Sequence, residues 1–173
     1  MNSAEAAEKL RGWFSGRLPD DWFEGPAEIV HDREEITIIG TLPPPAVAAD
    51  ASETERAAAA AGQIGRFRED TRERRMAIAR EAEHRFGRKV SWGVKAAGHR
   101  EMFTTLSVPV MTRLRQSERR VLDTLVEAGV ARSRSDALAW CVRLVGKNAD
   151  EWLAELREAL HHVERARASG PQI

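Results

Sequence analysis

Residues 104–145, TTLSVPVMTRLRQSERRVLDTLVEAGVARSRSDALAWCVRLV, constrain the fold more than any other part of the chain. They read as a short alternating strand, an amphipathic helix, a turn at Gly129 and a second helix opened by a serine. After Pro109 the apolar period changes from two to helical. Met111, Leu114, Val121, Leu122, Leu125 and Ala128 form one stripe, with Arg113, Arg115, Arg119 and Arg120 largely off it. Ser133-Arg134-Ser135-Asp136 has a cap-x-x-acid form, which predicts Ser133 as N-cap and Asp136 as its reciprocal partner. Leu138, Cys141, Val142 and Val145 are expected to face inward on the second helix. One strand and two helices cannot close a hydrophobic core alone, so such a unit is expected to share one with a copy of itself. Gly146 is expected to interrupt the second helix. Asn148-x-x-Glu151 then predicts the cap of a final helix through about Ala168, with Trp152, Leu153, Leu156 and Leu160 apolar and Gly170-Pro171 as its end.

The first hundred residues carry a different pattern. Ala6, Ala7, Leu10, Trp13 and Phe14 fall at helical steps and predict a short helix ending near Gly16. AEIVHDREEITIIGTL reads as a hairpin around His31–Glu34, closed by Pro43-Pro44-Pro45. Ser52-Glu53-Thr54-Glu55 is a capping box opening one long helix to about Phe86, where Gly87 supplies the stop. Ile64, Phe67, Thr71, Ile78, Ala82 and Phe86 would line its buried face. Val90, Trp92 and Val94 alternate with polar or small residues in a strand. Ala97-Gly98-His99-Arg100 turns it, and Met102–Val108 would return as its partner. The expected class is α+β: N-terminal antiparallel β-hairpins packed on one long helix, then a C-terminal strand-helix-helix unit with an extra terminal helix. The domain boundary is expected between 103 and 104.

Charge and composition narrow the functional classes. Of the 173 residues 27 are basic and 27 acidic, but the balance is uneven. Residues 1–50 carry a net −6 and residues 63–120 a net +8. A basic middle is an electrostatic footprint for a polyanion, and equally the dress of a solvated helix whose arginines pair with neighbouring carboxylates. The single cysteine excludes an intrachain disulfide. Neither a secretory signal nor an 18-residue apolar run is present in the sequence, so a cytoplasmic protein without a membrane span is expected. No catalytic residue, cofactor or metal is expected. Cys141 sits on an apolar helix face, and adjacent His161 and His162 point about 100° apart. The glycines at 62 and 65 lie inside a helical pattern with no phosphate-loop lysine after them. Trp92 in a basic hairpin could stack on a nucleic-acid base, but a core position is the stronger expectation.

The order of elements in 104–145, best in LDTLVEAG followed by SRSDAL, resembles the ribbon-helix-helix family of dimeric DNA-binding proteins. The resemblance covers under a quarter of the chain. It implies a two-chain ribbon in the DNA major groove, outward strand residues reading base edges, and the second helix's N-terminus against a phosphate. Carried onto this sequence, Ser133, Arg134 and Ser135 would anchor the phosphate. Thr105 and Ser107 would read bases, joined by Met111 and Arg113 in one register. The implied protein is a dimeric transcriptional regulator whose partners are double-stranded DNA and a second copy. An effector or protein partner is left for the N-terminal module. The competing expectation is a homo-oligomeric assembly or protein-interaction module that does not touch DNA. Association with RNA or the ribosome through the arginine-rich helix and hairpin is a third.

Overall fold

A computed structural model describes residues 3–169. The chain is mixed α+β and divides into two compact units, residues 3–108 and 109–169. The division falls five residues beyond the boundary expected from the sequence.

The first unit holds α1 (Ser3–Arg17), β1 (Glu28–His31), β2 (Glu35–Thr41), α2 (Glu53–Asp70), α3 (Arg72–Phe86), β3 (Lys89–Ala96) and β4 (His99–Met102). The strands form one sheet in the order β1-β2-β3-β4. Both hairpins are antiparallel, but the middle pair, β2 with β3, is parallel, with Ile36 opposite Val90 and Ile38 opposite Trp92. Two successive strands that run the same way require a crossover, and the helical segment 53–86 supplies it. The sequence pattern identified the hairpins without fixing how they join.

The core lies on one face of this sheet. Ile36, Ile38 and Leu42 alternate inward from β2 and its extension, as do Trp92, Val94 and Ala96 from β3. Leu10 and Phe14 of α1, Trp22, and Ile64, Ile78 and Ala82 of the crossover close over them. Trp92 is buried, as the core reading expected.

The expected long helix is two. Ser52 makes its capping box with Glu55, but Thr71 separates α2 from α3. Its hydroxyl donates to the Phe67 carbonyl at 2.5 Å, competing with the helical ladder as mid-helix threonines do. The Arg75 guanidinium is folded into the break. Its Nε donates to Thr71 Oγ1 at 2.9 Å, its Nη2 to the Arg68 carbonyl at 2.6 Å, and it lies 4.8 Å from the Phe103 ring centroid. The second hairpin turns on Ala97 and Gly98 alone, both at positive φ, the two-residue turn that matches strand twist. β4 therefore starts at His99 and stops at Met102, so the returning strand expected over 102–108 does not form.

The second unit contains α4 (Gln116–Glu127), α5 (Arg134–Asn148) and α6 (Asp150–Ala168). α4 opens at Gln116, seven residues after Pro109, with the Arg115 amide held by the Glu118 carboxylate. Gly129, at φ 72°, ends it by the left-handed route that glycine takes freely. Ser133 caps α5 as expected, accepting from the Asp136 amide. Asp136 reaches back one residue further than anticipated, to the Arg132 amide at 3.0 Å. Gly146 lies inside α5, and Asn148 ends that helix, donating to the Leu144 carbonyl, instead of capping α6. The expected stop at Gly170-Pro171 lies outside the described residues. Leu122, Ala131 and Ala137 are the buried hydrophobics of this unit, with Leu114, Leu125, Val126, Leu138 and Cys141 half-buried around them.

Candidate nucleic-acid interface

Residues 104–115 form neither helix nor strand. Their first part belongs to the N-terminal unit. Thr104 Oγ1 accepts from the Trp92 amide at 3.0 Å, and the Leu106 amide donates to the Glu35 carboxylate at 3.0 Å. Thr105 and Ser107 are exposed on that tethered stretch of the first unit, whereas Met111 and Arg113 belong to the second. From Val110 to Leu114 no backbone amide makes a hydrogen bond among the described residues. Val110 is 85% and Met111 96% exposed, whereas Leu114 turns into the small C-terminal core. With Leu114 inward, strand alternation would set Thr112 and Val110 on its side and Arg115, Arg113 and Met111 on the other.

The far edge of the site is the start of α5. Ser133 Oγ occupies the Asp136 amide, leaving the Arg134 and Ser135 amides without a hydrogen bond among the described residues. Unpaired amides at a helix start, with the positive end of the dipole behind them, favour an anion. Arg134 itself is engaged elsewhere. Its Nε and Nη2 donate to the two carboxylate oxygens of Asp123 on α4 at 2.6 and 2.8 Å. That fork holds the Asp123 carboxyl below the usual carboxylate range and raises the Arg134 guanidinium. The neighbouring Arg132 points outward, its side chain 95% exposed and 3.8 Å from Asp136. Sequence reasoning passed over Arg132 because it precedes the cap. It missed the role of Asp123 because the pair spans eleven positions and two helices.

Apolar side chains stand in solvent further along both helices. Val142 and Val145, expected to face inward, are more than half exposed, as is Val121 on α4. Only Leu138 and Cys141 of the predicted α5 face reach the cluster.

The N-terminal unit offers a different concavity, a cleft of about 500 Å³ lined by Gly65, Arg68, Arg72, Arg75, Glu101 and Phe103 among others. Desolvation, with the Arg68 and Arg72 charges adding to it, lowers the Arg75 guanidinium from its ordinary value. No group of histidine, cysteine or carboxylate side chains among the described residues could hold a metal ion. No helix among them is long and apolar enough to cross a membrane.

Two family descriptions match the chain. "Rv1265-like protein, N-terminal domain" covers residues 8–102 and "Mb1296 C-terminal domain" residues 115–167. The chain belongs to the Rv1265-like family. It is 59% identical over 161 residues to Mb1296 of Mycobacterium bovis and, to the same extent, to MT1303 and Rv1265 of Mycobacterium tuberculosis. Those alignments span 93% of this chain and 70% of each relative, and all three are named as uncharacterized proteins. No solved structure matches it.

Proposed function

We propose that the chain is a homodimeric DNA-binding protein of the transcription-regulator type, with residues 109–148 as its DNA-binding half-site. The observation that carries this reading is a backbone stretch, 110–114, whose amides make no hydrogen bond among the described residues and which holds two apolar side chains in solvent. Open backbone amides are a template for pairing with another chain and large exposed hydrophobics favour burial, and a second copy of the same stretch answers both. Pairing two such segments across a dyad forms a ribbon whose outward face is Met111, Arg113 and Arg115. The α5 start supplies two amides and Arg132 for a phosphate on either side. Thr105 and Ser107, tethered to the other unit, take no part in this version of the interface, and Arg134 positions α5 instead of touching phosphate.

For the N-terminal unit we assign a regulatory input at the arginine-lined cleft. Arg68, Arg72 and Arg75 outnumber Glu69 and Glu101 in its lining, which leaves a net positive cleft for a small anion.

The test is retention of double-stranded genomic fragments by the purified chain at about 50 and 200 mM salt. Specific fragments should be retained at the lower concentration, with affinity falling steeply at the higher as condensed counterions are released. A chain that self-associates yet ignores every fragment at the lower salt would overturn DNA binding in favour of an assembly module.

A further inference from the structure

The last helix carries an apolar seam that its own chain leaves open. Trp152, Leu156, Leu160 and Val163 follow at steps of four, four and three, which puts them on one side of α6. All four are exposed, Trp152 by 58% and Leu160 by 62%, and none joins the hydrophobic cluster of its unit. A helix of 19 residues with its apolar side in water is marginal by itself, because tertiary burial supplies most of a helix's stability. Something is expected to cover it.

Its charges say what. Asp150, Glu151, Glu155 and Glu158 against Arg157 give residues 150–158 a net −3. Arg165 and Arg167 against Glu164 give residues 159–168 a net +1, with His161 and His162 alongside. Two parallel copies would set −3 beside −3, whereas antiparallel copies lay the acidic half of each along the basic half of the other. The opposed macrodipoles act in the same direction.

We propose that α6 pairs antiparallel with α6 of a second copy, burying the Trp152–Val163 seam. The inference goes beyond DNA binding and does not rest on it, since it uses neither residues 110–114 nor the start of α5. The seam's midpoint falls between 157 and 158, so Leu156 of one copy lies near Leu160 of its partner.

The full chain with its only cysteine removed (Cys141→Ala) takes Leu156→Cys in one preparation and Leu160→Cys in another. Both sites are exposed, so neither change empties the core. Under mild oxidation without DNA, the mixture should form the 156–160 disulfide on the order of tenfold faster than either preparation links to itself. Only that pair brings β-carbons within the roughly 4.5 Å a disulfide needs. Faster self-linking of either preparation would mean a parallel pair and overturn the proposal. No linking in the mixture would mean that α6 does not meet a second copy, and would overturn it too. Neither result bears on retention of genomic fragments, so the two proposals fail separately.

Discussion

At the scale of single residues, the division of labour between Arg132 and Arg134 is the sharpest consequence of the geometry. Arg134 donates both arms of its fork to Asp123 and so locks the start of α5 onto α4, while Arg132 reaches solvent. Arg132→Ala should therefore weaken DNA binding about equally across sequences and reduce the salt slope by about one, measured by titration over a salt series. Asp123→Asn separates the roles further. If Arg134 positions α5, this change should lower affinity, as Arg134→Ala should. If Arg134 contacts phosphate, freeing it from a carboxylate should raise affinity, and that result would contradict the assignment. A third residue tests packing. A β-carbon at Gly40 would stand 2.1 Å from the Phe23 ring, so Gly40→Ala should cost about 1–3 kcal/mol in urea unfolding of the N-terminal unit. The Ser133 cap of α5 was legible as a cap signature at one end of a periodic run. The Arg134–Asp123 fork was not, because local spacing carries no information about a contact between helices.

At the scale of elements, the sequence conveyed what local chemistry determines and lost what the tertiary fold decides. The capping box at Ser52 and the glycine stops at 87 and 129 each follow from one or two side chains or a positive φ and stand where that chemistry puts them, whereas the turn expected over 97–100 closes on Ala97 and Gly98 alone. The break at Thr71 looked like one more inward position, since its helical spacing is undisturbed. Its cause is the bond from its hydroxyl to the Phe67 carbonyl and the arginine folded against it. Thr71→Val keeps the shape but removes the acceptor of the Arg75 Nε. Leaving that buried donor unpaired should destabilise the unit by about 1–3 kcal/mol, read as a lower urea midpoint at unchanged slope. The parallel β2–β3 pair was hidden for a related reason. Alternation reveals which face of a strand is buried, not which strand lies beside it. The strand expected over 102–108 failed because the Trp92 amide goes to the Thr104 side chain and the Leu106 amide to the Glu35 carboxylate, so the backbone ladder does not continue.

At the scale of the whole molecule, the two units differ in how far each one satisfies itself. The first closes a core of large side chains from three helices and a sheet. The second buries Leu122 and two alanines, and leaves Val110, Met111, Val142, Val145 and the α6 seam in solvent. So little covered surface in a unit of this size fits the proposed second copy, although the strand that first suggested it in the sequence does not form within the chain. Amide hydrogen exchange over residues 110–114 tests the proposed ribbon most directly, because these amides have no partner among the described residues. At concentrations where the protein self-associates they should exchange slowly, and protection should fade on dilution. Exchange at the rate of an unstructured peptide, in a sample shown by light scattering to be associated, would contradict the shared ribbon.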